Sequence, residues 1–348
     1  MSCSCRYRPA ARRNPPGRDR RIPRPGGSVQ EREEHRVTVT EQPGDDFVRL
    51  TGPFRRELLT HCYRMLGSVQ DAEDLVQETY LRAWRGYRDF EGRASLRTWL
   101  YRIATNACLN ALRHGGRRVL PAGLGGPITD PGALAPRDPE IRWLEPIPDE
   151  RADPAAIVAG RAGLRLALIA ALQHLPAQQR AVLILRDVLA WSAEETAGTL
   201  GMTPAAVHSA LRRARARMDR LAPDIDDVTE PAERERRDLL DRYADAFERA
   251  DIDALTGLLT EDAVWQMPPN PSWFAGRGDV ARLLAARLGR KRARLLPLRA
   301  NGQPGFAMYV DGEAFAVQVV TLRGPAVAAV TAFHDPDLPE RFGLPRRL

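Results

Sequence analysis

Between Asp71 and Arg113 the chain carries two long helical patterns in succession, DAEDLVQETYLRAWRGY and SLRTWLYRIATNACLNALR, joined by a Gly-containing turn. Each pattern has an apolar stripe that must be buried against another element, so this segment constrains the fold more than any bulk property. Asp71, Glu73, Asp74 and Glu78 crowd the start of the first helix, with Leu75, Tyr80, Leu81 and Trp84 as its apolar set. Acids in a first turn complement the helix dipole, which accounts for Asp71, Glu73 and Asp74. It does not account for Gln77 and Glu78 further in, for which a surface that docks a basic or amide-rich helix is the functional alternative. In the second helix Leu96, Leu100, Ile103 and Ala107 fall on one face and are expected to pack inward. Arg102, Asn106, Asn110 and Arg113 form a second stripe. Asn hydrogen-bonds base edges, and Arg bonds phosphate or stacks. Trp99 and Tyr101 lie near the helix start, where ring faces can catch unstacked bases. The competing reading is a solvated face with two core aromatics. Against it, Asn is a mediocre helix former, and two of them one turn apart are unusual on a merely solvated face.

About a hundred residues later, WSAEETAGTLGMTPAAVHSALRRARARM has the pattern of a helix-turn-helix. Ser192 and Glu195 have the spacing of a capping box. The first helix is expected to end at Leu200, and Gly201 permits the tight turn. Thr203 caps the second helix, with Pro204 at its first position. Ala197, Leu200, Val207 and Leu211 are spaced to pack the pair together. The second helix then presents His208, Ser209, Arg212, Arg213 and Arg215, which suits a major groove: early residues near bases, later arginines near phosphates. A helical hairpin with a basic solvated face is the bland alternative, in which Arg213, Arg217 and Arg220 are simply surface charge.

At 348 residues, with 43% hydrophobic content, the chain has room for two or three domains. Its formal charge of +7 is weak support for nucleic-acid binding, because residues 1–44 alone hold ten Arg against five acids. That Arg-, Pro- and Gly-rich segment is expected to be disordered: either a basic arm adding non-specific DNA affinity, or a dispensable extension. Residues 45–114 form the first helical block. Residues 115–155 break all periodicity with GG, GP, DP, AP, EP and IP steps and read as a linker, with one island, Trp143-Leu144-Glu145-Pro146-Ile147-Pro148. The second helical block spans 156–222, an acidic linker 223–233, and a last domain 234–348. There Leu239, Tyr243, Phe247 and Leu255 suit amphipathic helices, and the runs GFAMYVDG, EAFAVQVVTLRG and PAVAAVTAFHD suit strands. Helices followed by an antiparallel meander read as α+β.

Cys3, Cys5, Cys62 and Cys108 have no zinc spacing and read as reduced thiols; no metal or cofactor is expected. No stretch approaches the ~18 apolar residues of a membrane span, and the basic N-terminus lacks the apolar core of a secretory signal. The expected location is the cytoplasm.

Together these segments resemble bacterial sigma factors of the sigma-70 family, extracytoplasmic-function group. DAEDLVQETYLRAW is similar to the region 2.2 helix that docks on the polymerase β′ coiled coil. FEGRASLRTWLYRIATNACLNALR is similar to regions 2.3 and 2.4, which melt and read the −10 element. LPAQQRAVLILRDVLAWSAEETAGTLGMTPAAVHSALRRARARM is similar to region 4, which reads the −35 element. The resemblance covers about residues 47–222 apart from the linker. It implies two all-α sigma domains and, as partners, the core polymerase through its β′ and β subunits and promoter DNA. It assigns Asp71, Glu73, Asp74, Leu75, Gln77 and Glu78 to core binding. It assigns Arg97, Trp99, Tyr101, Arg102, Asn106, Asn110 and Arg113 to the −10 strand, and His208, Ser209, Arg212, Arg213 and Arg215 to the −35 helix. The C-terminal extension resembles a SnoaL-like cone domain through Leu239, Leu240, Tyr243, Phe247 and LTEDAVWQMPP. The WLEPIP island and FHDPDLPERFGLP resemble sigma factors that carry this domain in place of a partner anti-sigma protein.

The resemblance implies that RNA synthesis belongs to the core enzyme and that this chain has no catalytic residue. By the same resemblance the linker, with Glu140, Glu145, Asp149 and Glu150, could thread the core's RNA channel; a solvated tether is the alternative. A one-component helix-turn-helix regulator with a sensing or enzymatic C-terminal domain is the rival function, but it leaves the Asp71–Glu78 acids and the Asn106/Asn110 stripe without a purpose. Asp262, Trp265, Asp311 and His334 are candidates to line a C-terminal cavity, although a lone His near a strand end also reads as structural. That domain's partner is then a small molecule or the chain's own sigma domains.

Overall fold

Single residues start and stop the helices of the first block. In the computed structural model, which describes residues 43–92, 94–159, 163–221, 231–289 and 292–348, Gly67 takes φ 71° and closes α2 (Arg55–Leu66). Ser68 at once caps α3 (Val69–Gly86) by accepting the Asp71 N–H at 3.1 Å, so α3 starts two residues ahead of Asp71. Ser95 caps α4 (Leu96–His114) in the same way, through the Thr98 N–H. Ahead of them α1 (Pro43–Thr51) sets Phe47 edge-on against Trp84 and Tyr87, at 5.3 and 5.1 Å. The N-terminal segment 1–42 and most of the acidic linker, 222–230, lie outside the described residues.

Two expected faces are rotated. α3 buries Val69, Ala72, Val76, Thr79 and Ala83, leaves Leu75 and Tyr80 half-buried, and exposes Leu81 and Trp84. Small residues on its inner face let α2 and α4 come close, so the bulky side chains are left outside. α4 buries Leu100, Tyr101, Ala104, Thr105, Ala107 and Cys108, while Leu96 and Ile103 are only half-buried. α4 is covered on two sides, by α2 and α3 and by helices of the second block, so one apolar stripe does not describe it.

That second block comprises α5 (Pro154–Ala159), α6 (Leu166–Gln173), α7 (Ala177–Leu183), α8 (Ala193–Leu200) and α9 (Pro204–Leu221); α7 runs on into a π-helical turn, Ile184–Val188. It is not tethered at a distance. α6 and α7 pack on α2, and α7 and α8 pack on α4. Arg180 is buried and donates to the carbonyls of Met65, Gln173 and Leu175, clamping α7 and α6 to the end of α2. Burial lowers its pKa to about 10, so it still carries its charge at neutral pH.

The connecting segment is not a solvated tether in this structure. Leu144, Ile147 and Ala152 are fully buried, and each large apolar side chain so buried contributes about 1.5–3 kcal/mol. The Glu145 carboxylate sits at the N-terminus of α3, accepting the Val69 N–H at 3.0 Å and the Ser68 hydroxyl at 3.1 Å, where the helix dipole favours an anion.

The C-terminal domain is α+β. α10 (Glu233–Glu248) and α11 (Ile252–Gly257) lead into a six-stranded sheet of order β2-β1-β6-β5-β4-β3. Its strands are β1 (Leu259–Gln266), β2 (Trp273–Ala275), β3 (Ala293–Ala300), β4 (Gln303–Val310), β5 (Glu313–Arg323) and β6 (Ala326–Phe333), with α12 (Arg277–Arg287) between β2 and β3 and α13 (Leu338–Arg341) last. The meander β3–β6 is antiparallel as expected, but β1 returns to pair parallel with β6. Pro297 is tolerated inside β3 because that strand is an edge. β5 explains how the domains are joined. Val317 and Val319 point into the core shared with the helical blocks, while Gln318, Val320 and Leu322 turn to the domain's own helices. Buried on both faces, β5 reads as a near-continuous apolar run rather than an alternation. At the β3–β4 turn, fully buried Asn301 (φ 58°) locks the domain down. Its side-chain amide donates to the Tyr63 hydroxyl and the Leu164 carbonyl, both at 2.8 Å, and its oxygen accepts the Ile147 N–H at 3.0 Å.

Candidate nucleic-acid interface

The α8–α9 unit forms as the residues dictate. Ser192 and Glu195 complete a capping box, Gly201 takes φ 63° at the turn, and Thr203 accepts the Ala206 N–H to start α9. Ala197, Val207, Ala210, Leu211 and Ala214 are buried between the helices and their neighbours. His208, Arg212 and Arg213 are exposed and Ser209 half-buried on the outer face; no described residue bonds their side chains. Arg215 differs: its guanidinium makes a bidentate pair with Asp187 at 2.8 and 2.6 Å, bracing α9 against the π-helical turn. That ion pair raises its pKa further.

α4 also divides its candidates. Arg102, Asn110 and Arg113 are exposed and Asn106 half-buried, and among the described residues none of the four has a side-chain partner. They form one continuous strip of donors and charge. Trp99 is half-buried and packs against Phe90, with ring centroids 4.8 Å apart and planes tilted by 33°, so its ring is held in place rather than loose. Tyr101 is not on this strip. It is buried, and its hydroxyl donates to Glu57 Oε2 at 3.2 Å; burial and the Glu57 charge push its pKa up. Arg97 lies over the Tyr101 ring, 4.9 Å from its centroid, and pairs with the same Glu57 at 2.6 Å. Arg97 and Tyr101 thus support the helix from behind.

The acidic face of α3 is partly occupied. Asp71 accepts from Arg118 at 2.8 Å and Arg142 at 3.1 Å, and Glu73 pairs with Arg151. All three arginines belong to the connecting segment. Asp74 and Gln77 are exposed, Leu75 is half-buried, and Glu78 pairs along the helix with Arg82.

Comparison with known proteins agrees with this layout. Residues 50–118 match the Sigma-70 region 2 family model, residues 165–218 match Sigma-70, region 4, and residues 240–335 match the SnoaL-like domain. The ECF RNA polymerase sigma factor SigG of Mycobacterium tuberculosis is 47% identical over 332 residues, covering 92% of this chain and 90% of that protein. The chain belongs to the extracytoplasmic-function family of RNA polymerase sigma factors. SigE of Mycolicibacterium smegmatis is 32% identical over 172 residues, covering 49% of this chain and 60% of that protein. The crystal structure of M. tuberculosis SigJ has the same overall fold, with a TM-score of 0.58 at 24% identity, covering 86% of this chain and all of that one.

In this sigma factor the residues that sequence reasoning missed are Arg118, Arg142 and Arg151. They lie in a stretch without periodicity, and nothing local says which acids they meet. The WLEPIP island was the one signal there. The C-terminal cavity, about 700 Å³, is lined by Trp265, Asp311 and His334 as expected. Asp262 is exposed and paired with Arg323, away from it. Leu134 and Arg137 of the connecting segment line the cavity as well.

Proposed function

We propose that this sigma factor binds core polymerase through the α3 face, reads single-stranded −10 DNA with the α4 strip, and reads duplex −35 DNA with α9. The observation that carries the reading is the pair of separate strips of Asn, His and Arg on α4 and α9 that have no side-chain partner among the described residues, in a chain whose α3 presents acids. The α4 strip offers amides for base edges and guanidinium groups for phosphate. Trp99, fixed against Phe90, is the ring on which an unstacked base would stack; such stacking offsets an unstacking cost of a few kcal/mol per step. RNA synthesis is left to the core enzyme, in the cytoplasm. Among the described residues no helix is long and apolar enough to cross a membrane.

The connecting segment regulates this activity. Arg118, Arg142 and Arg151 occupy Asp71 and Glu73, so a polymerase surface that uses those acids must displace them. The C-terminal domain holds the segment in place: Asn301 and the Gly302 N–H bind it through Ile147 and Asp149, the latter at 2.6 Å. The chain therefore carries its own inhibitory partner. The test of the DNA assignment is runoff transcription with Asn106→Ala. Open-complex formation at cognate promoters should fall about tenfold or more with core binding unchanged; equal loss of both would show a folding defect instead.

A further inference from the structure

Two arginines gather at a histidine with no carboxylate among the described residues to balance them. Their neighbours differ: Arg118, Arg142 and Arg215 all pair with aspartates. Arg117 lies exposed in the connecting segment. Its guanidinium donates to His174 Nδ1 at 3.0 Å and, more weakly, to the Gly123 carbonyl at 3.5 Å. His174 ends α6, and α9 packs on that helix. Arg217 of α9 is exposed, no described residue bonds its side chain, and its charge acts on the His174 ring.

An arginine cannot accept a hydrogen bond, so Nδ1 is the acceptor and the proton of the ring sits on Nε2. That N–H has no partner among the described residues. Beside it stands Gly123, where a β-carbon would lie 3.5 Å from Nε2; without one the donor stays open. Burial, then the charges of Arg117, Arg217 and Arg180, hold the histidine below its ordinary pKa, so the ring is neutral at neutral pH. Arg180 is itself engaged by the carbonyls of Met65, Gln173 and Leu175. The carbonyl end of α6 supplies only a partial negative charge. Cations gathered in this way repel one another unless an anion joins them. Two guanidinium groups and an N–H, on three separate elements, are a donor set for an oxyanion. A carboxylate has two oxygens to share among them, whereas a phosphate has three.

We propose that Arg117, His174 and Arg217 form a site for a small phosphate-bearing anion, which ties the connecting segment to α6 and α9. This rests on the regulatory reading above and deepens it, because the next residue, Arg118, is one of those that mask Asp71. An anion on Arg117 holds that stretch against the second block and keeps the mask in place. A DNA backbone carries the same phosphate chemistry but makes a different demand. Duplex on α9 needs Arg217 alone, while a free anion needs all three groups together.

The full-length protein is titrated with inorganic pyrophosphate by calorimetry at constant ionic strength, with acetate as the control. Saturable pyrophosphate binding is expected, with a Kd of about 1 mM or tighter. Arg117→Gln and Arg217→Gln should each weaken it about tenfold; both residues are exposed, so the fold is not at risk. Gly123→Ala, which sets a methyl group against Nε2 and changes no charge, should weaken it too. Amide exchange over residues 117–124 should slow when pyrophosphate is bound, and Arg117→Gln should leave affinity for −35 duplex unchanged. Absence of saturable binding, equal binding of acetate, undiminished binding to the Arg117→Gln protein, or unslowed exchange overturns the proposal. So does a loss of duplex affinity in Arg117→Gln matching its loss of pyrophosphate, which would give the site to the DNA backbone. None of these measurements involves core polymerase, so failure of the anion site and failure of the masking reading give different results.

Discussion

Arg213 and Arg215 sit two residues apart on α9 and have opposite surroundings. Arg213 is exposed with no described partner, whereas Arg215 is locked onto Asp187 in a planar, bidentate pair. On the proposed −35 assignment only the first is available for phosphate. Arg213→Ala should lower affinity for −35 duplex and reduce the slope of log K against log salt by about 1. Arg215→Ala should leave that slope unchanged and instead loosen α9. Fluorescence anisotropy at several salt concentrations distinguishes them, and a reduced slope for Arg215→Ala would refute the division. The same contrast separates Tyr101 from Asn106 on α4. Both were equally plausible DNA contacts by residue type, but a helix sandwiched between two layers buries one and leaves the other open.

At the scale of elements, α3 is the decisive helix. Its acids and its helical character were legible from local residues, whereas its start at Val69 and its Ser68 cap were not. Its inner face was not, because Leu81 and Trp84 look like core until the small residues Ala72, Val76 and Ala83 are seen to set the packing distance. Nor could its partner be read: the arginines that meet Asp71 and Glu73 come from a stretch of Pro and Gly steps with no period to place them. Partly exposed pairs of this kind contribute about 0–1 kcal/mol each, so the clasp is weak enough for a protein partner to displace. Arg118→Ala combined with Arg142→Ala should therefore raise affinity for core polymerase by about three- to tenfold, measured by competition with a labelled sigma factor. Unchanged or weaker binding of a folded variant would show that the arginines do not mask the site. The boundaries of the helix-turn-helix, by contrast, were readable, since capping box, αL glycine and Pro at the first helical position are all local signals; the pairing of Arg215 with Asp187 was not.

For the whole molecule, the clustering of Pro43–Leu348 into one compact unit has a direct consequence. α4 packs against α7 and α8, the helices that carry α9. The positions that name the −10 and −35 elements are about 25 base pairs apart, roughly 85 Å along duplex DNA. A form with the two blocks packed together cannot place their readers that far apart, so on the proposed assignment the second block must leave α2 and α4 when the promoter is bound. Dyes on His114→Cys and Arg217→Cys, with Cys3 and Cys5 replaced by Ser, should show high energy transfer in the free protein and low transfer in the transcribing complex. Equal transfer in both would refute the opening. Cys62 and Cys108 are buried and should stay unlabelled.

By itself the sequence determined the main helical patterns, the caps of the helix-turn-helix, the strand runs of the C-terminal domain and the family, because these depend on residues within a few positions of one another. Tertiary structure alone decided which acids are masked, which arginines are free, and that the sheet of the C-terminal domain has its second face on the sigma helices. The reason is physical: burial on two sides and pairing across more than a hundred residues, as between Asn301 and Tyr63, leave no periodicity in the chain to read. The Asp71–Arg113 segment carries the proposed grips on polymerase and DNA, and its surroundings hold the acids of one of them.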